Sequence, residues 1–190
     1  MARSDFTIAL TAVSDSKIAG SFSGVGANVA RMMALGSSPV FSAIRTSPSQ
    51  EDGTVSAYFK DDGSGLLSGI VLGRVQAGSL VSGLTGYFAK TQLSTAYIYR
   101  ANTGTLTLLA SVAVTYVQSL KLRLLLKTIG GTTEYQVDRA TSHAGAYSTI
   151  INGIDSSPVL GAGLWGFGRS DTSGANRPMD IDDLSINDVT

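Results

Sequence analysis

The chain contains no cysteine, one histidine and two glutamates among its 190 residues. The absence of cysteine excludes a disulfide framework, a thiol nucleophile and a cysteine–zinc site. The single histidine, His143, lies in the polar stretch "DRATSHAGAY", which has no nucleophile elbow for a serine triad. We therefore expect His143 to be an ordinary histidine of a surface loop.

Charged residues are also scarce, at 15% of the chain, and the 14 basic residues balance the 14 acidic ones. A net charge of zero gives no electrostatic attraction to nucleic acid or to an anionic membrane, so we expect neither as a partner. The N-terminal stretch "MARSDFTIAL" lacks the apolar core of a signal peptide. No apolar run reaches the roughly 18 residues of a membrane span. These absences predict a chain that is made in a cytoplasm.

The apolar pattern that is present repeats every second residue. In "SLKLRLLLKT" (119–128), leucines alternate with Lys121, Arg123 and Lys127, as expected for a strand with one buried face. "TAYIYR" and "TLTLLAS" flank "ANTG", whose Asn102 and Gly104 tolerate positive φ, and this predicts a hairpin. Short segments of this kind, separated by turn residues about every eight to twelve residues, are typical of an all-β sandwich. We see no domain boundary, so residues 1–190 are predicted to form a single domain.

One stretch, "GVGANVARMMALG" (24–36), does not follow the pattern. It is compatible with a short helix, with a strand and with an irregular crossover, and the sequence leaves these open. Its Gly24-x-Gly26 start does not continue into a dinucleotide-binding turn, because Val29 occupies the third glycine position and the surroundings are not βαβ.

The order of segments from Thr54 to Val189 resembles the concanavalin A-like lectin/glucanase jelly roll, also called laminin-G-like. The segments that carry the resemblance are "TVSAYFKDDGSGLLSGIVLGRV", "STAYIYRANTGTLTLLAS", "QSLKLRLLLKTIGGTTEYQVDR", "VLGAGLWGFGR" and "MDIDDLSIND". The resemblance implies a jelly-roll β-sandwich of two antiparallel sheets. It also implies that the N-terminal "DFTIAL" lies beside the closing strand.

The chemistry of the glycosidases with this jelly roll is not reproduced. Those enzymes carry glutamates at short alternating spacing on one strand, because retaining hydrolysis needs two carboxyl groups about 5–5.5 Å apart. Here Glu51 and Glu134 are far apart in sequence. The legume-lectin metal site, which the resemblance also brings in, uses a carboxylate pair two residues apart, whereas Glu134 and Asp138 are four apart. We therefore expect no enzyme and no catalytic residue.

The closing stretch "MDIDDLSIND" concentrates aspartate, with Asp180, Asp182 and Asp183 close together. Its apolar phase flips between Ile181 and Leu184, which a β-bulge would produce. One interpretation is a solvated outer strand face around that bulge, and this needs no cofactor. The other is a calcium site, since Ca²⁺ takes several oxygen ligands and the resembled family sometimes binds it.

Aromatic residues are the candidates for ligand binding, because a ring packs well on the apolar face of a sugar. Trp165 and Phe167, in "GLWGFG", share one strand face and either enter the core or form a ligand platform. Tyr97 and Tyr99, together with Tyr87 and Tyr147, are secondary candidates of the same kind.

Two functions fit these observations. The first is a non-enzymatic structural protein of a bacteriophage virion, such as a capsid decoration, head-fibre or tail component. The absence of cysteine and of a signal peptide favours it, as does the charge-poor composition. Its partners would be other virion proteins or copies of itself, since "LLSGIVLGRV" is apolar on both faces and predicts a covering subunit in a homo-oligomer. The alternative is a carbohydrate-binding module with glycans as partners.

Overall fold

The computed structural model describes the backbone of residues 6–10, 30–32, 40–45, 49–60, 67–78, 82–171 and 179–187. These residues form strands and turns without any helix. In the same ranges nothing helical has the length and apolar character needed to cross a membrane. The strands are β1 (Phe6–Leu10), β2 (Ala30–Met32), β3 (Val40–Arg45), β4 (Gly53–Lys60), β5 (Leu67–Ala77), β6 (Thr85–Gln92), β7 (Thr95–Asn102), β8 (Thr105–Ala113), β9 (Ser119–Ile129), β10 (Thr132–Ala140), β11 (Ser148–Asp155), β12 (Leu164–Asp171) and β13 (Met179–Asn187).

The strands form a sandwich of two antiparallel sheets. The larger sheet has seven strands in the order β1-β3-β12-β5-β6-β7-β8. The smaller sheet has six, in the order β11-β10-β9-β4-β13-β2. Sequence neighbours are paired in hairpins along β5-β6-β7-β8 and β9-β10-β11, whereas the remaining neighbours come from distant parts of the chain. The prediction of an all-β jelly-roll sandwich is confirmed.

The core lies between the sheets and follows the period-two pattern. In β9 the even-numbered leucines from Leu120 to Leu126 are buried, and the residues between them are partly exposed. The larger sheet contributes Val71, Ile98, Trp165 and Phe167 from the opposite side. Full burial of a large apolar side chain stabilises a fold by roughly 1.5–3 kcal/mol. The alternation predicted for residues 119–128 is therefore the main determinant of how the smaller sheet packs.

A buried guanidinium joins the sheets at one end of the sandwich. Arg74 lies at a register shift in β5 with a φ of 53°, so the bulge turns its side chain inward and leaves it 0% exposed. Its Nη1 donates to Thr133 Oγ1 of the smaller sheet at 2.6 Å. Its Nε donates to the Glu51 carbonyl oxygen at 2.8 Å, and its Nη2 donates to Thr128 Oγ1 at 3.0 Å. Gly163 passes so close that an added Cβ would lie 2.4 Å from the Arg74 carbonyl carbon.

A second set of buried polar contacts extends this connection to the β6–β7 hairpin. Tyr87 Oη donates to Asp155 Oδ2 at 2.9 Å and accepts the Val159 backbone N–H at 3.1 Å. Arg100 Nη1 donates to Asp155 Oδ1 at 2.6 Å. Burial raises the pKa of Tyr87 to about 12, so the phenol keeps its proton and remains a donor. The inward face of the hairpin is thereby fixed to the end of β11.

The strand pairing tests three expectations from the sequence. Residues 30–32 of the ambiguous stretch form strand β2, which pairs with β13, and the rest of 24–36 lies outside the described residues. The expectation that "DFTIAL" lies beside the closing strand is wrong. In the structure β1 pairs with β3 in the larger sheet, whereas β13 pairs with β4 and β2 in the smaller one. The bulge predicted in the closing strand is confirmed by a register shift between Asp182 and Ser185.

The argument for a covering subunit over β5 is also wrong. Ile70 and Leu72, on the outer face of β5, are only 2% and 0% exposed in the single chain, and Val71 on the inner face is 0% exposed. They pack with Ile44, Phe88 and other residues in an apolar cluster on the outer side of the larger sheet. At Ile70, Val71 and Leu72 the chain therefore covers both faces of this strand by itself.

The hairpin predicted at "ANTG" is confirmed, with a different residue in the strained position. Asn102 pairs with Thr105, and Thr103 and Gly104 form the turn with φ values of 47° and 87°. Positive φ at both central residues is the pattern of a type I′ turn, which favours Asn-Gly. A β-branched threonine is poorly suited to the first of these positions.

We predict that Thr103→Asn stabilises the protein. Asparagine tolerates the left-handed conformation, so the change should raise the free energy of unfolding by about 1 kcal/mol. That corresponds to roughly 2–4 °C in Tm for a chain of this size. Thr107→Asn, in the exposed part of β8, is the matched control and should leave the Tm unchanged or lower it. Equal Tm values for the Thr103→Asn variant and the wild type would contradict the strain argument.

Candidate functional site

The outer face of the β6–β7 hairpin carries the predicted tyrosines. Ala96 and Ile98 enter the core, so Tyr97 and Tyr99, which alternate with them, lie on the opposite face. Across the hairpin Tyr97 pairs with Lys90. We call the group formed by Tyr97, Tyr99, Lys90 and Gln92 the tyrosine platform.

The rings of the platform lie close together and nearly parallel. The centroids of Tyr97 and Tyr99 are 5.9 Å apart, with an angle of 25° between the ring planes. Tyr99 also packs on Phe88, at 5.0 Å and 18°. Phe88 is buried, whereas the two tyrosines are partly exposed. The result is a row of rings whose inner end is fixed in the apolar cluster and whose outer end faces solvent.

Lys90 places its ammonium group over these rings. Its Nζ is 5.5 Å from the centroid of Tyr97 and 5.9 Å from that of Tyr99. It donates a hydrogen bond of 2.9 Å to Gln92 Oε1. Partial burial lowers the pKa of Lys90, because the charged form loses hydration. The ammonium is thus held in place by contacts with uncharged groups.

This arrangement suits ligand binding better than bond cleavage. Aromatic faces pack against the C–H surface of a sugar ring, and the amide of Gln92 and the ammonium of Lys90 supply hydrogen bonds to its oxygens. The platform itself contains no carboxylate, thiol or hydroxyl–imidazole pair. Its rings, amide and ammonium are groups that can recognise a ligand.

Two grooves on the described surface lie away from the platform. The first, of about 440 Å³, lies at the β7–β8 turn. Its lining is mostly hydroxyl and amide groups: Arg100, Asn102, Thr103, Thr105, Thr107, Ser157, Pro158 and Val159. The second, of about 310 Å³, lies over β9, β10 and β11. The first offers no aromatic ring, and the ring of Tyr135 in the second is only 7% exposed, so neither combines an accessible ring with polar groups.

Most carboxylates of the described residues already serve the fold. The Gly161 backbone N–H and the Thr128 hydroxyl donate to Glu51 and lower its pKa. Asp138 is paired with Arg123, whose Nη2 lies 2.5 Å from Asp138 Oδ2. Asp155 accepts from Tyr87 and Arg100, as described above. Among the residues whose side chains are described, no cluster of three potential metal ligands occurs.

The structure buries Trp165 and leaves Tyr97 and Tyr99 partly exposed. Trp165 is 0% exposed, and its Nε1 donates to the Gln50 carbonyl oxygen at 3.2 Å. Its burial in the core leaves no ring face for a sugar, so Trp165 is withdrawn as a ligand-binding residue. Tyr97 and Tyr99 are brought together on the outer face, and their role in ligand binding stays a prediction.

For the aspartates of the closing strand the structure describes the backbone alone. The backbones of Asp180, Asp182 and Asp183 lie in β13, beside or within the register shift. Their side chains lie outside the described part of the structure. Both interpretations of this cluster therefore stay predictions.

Sequence reasoning missed Lys90 and Gln92. Lys90 becomes part of the site only because Gln92 pairs with Thr95, which leaves Leu93 and Ser94 as the turn and sets Lys90 opposite Tyr97. A two-residue turn at "LS" would have given this register. The sequence has no Asn-Gly or Asp-Gly there to announce it.

Comparisons with known proteins identify the fold. No family model matches the chain, and no curated protein matches it. Solved structures do match. The VIP36 exoplasmic/lumenal domain in its Ca²⁺/Man3GlcNAc-bound form aligns with a TM-score of 0.65 and 13% identity, over 98% of this chain and 84% of that one.

Two further structures give the same picture. The carbohydrate binding module CBM66 from Bacillus subtilis aligns with a TM-score of 0.58 and 14% identity, over 91% of this chain and 94% of that one. The lectin UEA-II complexed with galactose aligns with a TM-score of 0.57 and 11% identity, over 95% and 92%. Identities this low establish architecture alone. This chain accordingly has the lectin-like, concanavalin A-like jelly-roll fold that the order of its sequence segments resembles.

Proposed function

We propose that this protein is a non-enzymatic carbohydrate-binding module whose ligand lies on the tyrosine platform. The observation that carries the proposal is the row formed by Tyr97 and Tyr99, with the ammonium of Lys90 over both rings and Gln92 at its side. The platform places two partly exposed rings and two hydrogen-bonding side chains together on one outer face.

The fold comparison supports the same proposal. The structures with this fold include a carbohydrate binding module, a lectin with galactose and VIP36 with a mannose-containing glycan. A shared fold does not by itself transfer a function, since function depends on the side chains of the site. The platform supplies that second, independent support.

Binding without turnover is part of the proposal. Glycoside hydrolysis needs two carboxyl groups on either side of the scissile bond. The carboxylate of Glu51 accepts hydrogen bonds from Gly161 and Thr128, whereas Glu134 is exposed on the outer face of β10. Neither belongs to the platform.

We predict that Tyr97→Ala abolishes or strongly weakens glycan binding. Loss of one ring removes roughly 1.5 kcal/mol or more of apolar contact, which corresponds to at least a tenfold increase in Kd. The measurement is a glycan-array screen of the wild-type protein, followed by calorimetric titration of both proteins with the best ligand.

The matched control is Tyr116→Ala, because Tyr116 is also an exposed tyrosine but lies in the loop after β8. It should bind as the wild type does. Equal losses in the two variants would argue against the platform, and release of reducing sugar from the bound glycan would refute binding without turnover.

A second candidate function is supported by one flank of the sandwich. Residues 101–120 contain no charged residue, and they include β8, beyond which the structure describes no further strand. Leu106 and Leu108 on β8 are 54% and 50% exposed. Natural edge strands usually carry charge, proline or a cover that prevents pairing with another chain. β8 is uncharged and has no proline, and its only visible irregularity is the register shift near Leu109.

We propose from this flank that copies of the protein pair through β8, as a subunit of an assembly would. A bacteriophage virion, with the chain made in the host cytoplasm, is the setting proposed for such an assembly. The charge-poor composition and the absence of cysteine support this proposal. The carbohydrate-binding proposal does not depend on it.

The assembly proposal predicts that the purified wild-type protein is an oligomer in light scattering. A charge placed on the edge should oppose strand pairing, so Leu108→Lys should shift the protein to the monomer mass. The control is Leu160→Lys, which changes an equally exposed leucine in a loop, and it should leave the mass unchanged. A wild-type monomer at high protein concentration would exclude pairing through β8.

Calcium is not required by either proposal. The platform contains no carboxylate that would hold a metal, and the aspartates at 180, 182 and 183 are expected to be solvated around the bulge. We predict that a chelator leaves both the Tm and glycan binding unchanged. A metal bound only to the native state would stabilise it by mass action. A rise of several degrees in Tm with millimolar calcium, lost in Asp182→Asn, would instead support the calcium site.

A further inference from the structure

Among the side chains that the structure describes, the ammonium of Lys90 has no anionic neighbour. Its cross-strand neighbours are Ile70 on β5 and Tyr97 on β7, and the residues beside it on the same face of β6 are Phe88 and Gln92. No carboxylate among the described side chains lies within ion-pair distance of its Nζ. Arg74 and Arg100, by contrast, each have a carboxylate partner, in Asp52 and Asp155.

The cost of partly burying the Lys90 ammonium is only partly compensated by its surroundings. A cation that loses part of its hydration is normally compensated by a nearby anion, and the ring faces and one amide oxygen compensate it only partly. The three hydrogens of the ammonium also exceed the single hydrogen bond to Gln92 Oε1. An anion delivered by a ligand would therefore gain a charge-assisted hydrogen bond in surroundings that are already partly dehydrated.

The rings define what else the ligand must contain. Because Nζ lies over both tyrosine rings, a sugar that packs against the solvent-facing side of the row has the ammonium within the reach of its own ring substituents. Such a substituent gains most if it is negatively charged. A neutral sugar would cover the lysine and dehydrate it further without supplying a counter-ion.

We infer that the tyrosine platform binds an anionic sugar, whose carboxylate or sulfate group pairs with Lys90 while its ring packs on Tyr97 and Tyr99. This inference rests on the proposed carbohydrate-binding function and names its ligand class. Gln92 orients the ammonium through its Oε1 atom and leaves its amide N–H groups for a sugar hydroxyl.

The test compares matched ligands with and without the charge. Polygalacturonate and its methyl ester share a backbone and differ in the carboxylate, and a sulfated galactan with its desulfated form does the same for sulfate. Titrations use the wild type, Lys90→Gln and Lys90→Arg, with Lys127→Gln as the control. Lys127 is an exposed lysine of β9 in the other sheet, so its variant has the same loss of net charge.

We expect the wild type to bind one of the charged polymers at least tenfold more tightly than its neutral counterpart. Lys90→Gln should lose that preference, Lys90→Arg should keep most of it, and Lys127→Gln should keep all of it. In wild-type protein the aromatic resonances of Tyr97 and Tyr99 should shift on addition of galacturonic acid or a sulfated galactose, and the neutral sugar should need at least a tenfold higher concentration for the same shift. This last measurement needs no variant and holds even if a substitution impairs folding.

The outcomes distinguish the anionic-sugar inference from the carbohydrate-binding proposal on which it rests. Neutral glycans that bind with dependence on Tyr97 but not on Lys90 would overturn the anionic-sugar inference and leave the carbohydrate-binding proposal intact. Charged polymers that bind equally to all variants would show non-specific attraction and overturn the inference. If neither neutral nor charged glycans bind, the anionic-sugar inference and the carbohydrate-binding proposal are both wrong.

Discussion

The structure depends on one buried guanidinium that connects its two layers. Arg74 donates to Thr133 and Thr128 of the smaller sheet from a bulge in the larger one, and its carboxylate partner is Asp52. Burial lowers the pKa of Arg74, because the charged form loses hydration. Removing such a group from one sheet would leave acceptors of the other without a donor. The apolar core brings the sheets together, and these directional bonds fix how the sheets are placed at that end.

Hydrogen bonds on the inner face of the β6–β7 hairpin also position the tyrosine platform on its outer face. Tyr87 and Arg100 lie on the inner face of the β6–β7 hairpin and are both bonded to Asp155. On the outer face of the same two strands lie Lys90 and Tyr97. A side chain on one face of a strand cannot shift without moving its neighbours on the other, so the inner bonds hold the outer groups in register. The platform is therefore built on a rigid hairpin, and a ligand would meet rings that are already in place.

The sequence was sufficient where a pattern repeats and insufficient where a single residue departs from it. The alternation around Leu122 and Leu124 predicted β9 because burial imposes a period of two on any half-buried strand. The phase change after Ile181 predicted the bulge for the same reason. Arg74 was not found, since in sequence it is one more polar residue of an apolar strand, and only its positive φ turns it inward. Lys90 was not found because its partners come from the pairing register across an unmarked turn.

The difference between fold and site also explains what the comparisons show. Structures with 11–14% identity share this architecture, because alternation and turn placement tolerate almost any apolar or polar residue at a given position. A binding site tolerates far less, since Lys90 works with Tyr97 and Tyr99 only if all three occupy neighbouring positions on one face. The shared architecture is therefore evidence for the fold alone, and the proposed recognition of a sugar depends on the side chains that this chain places on its hairpin.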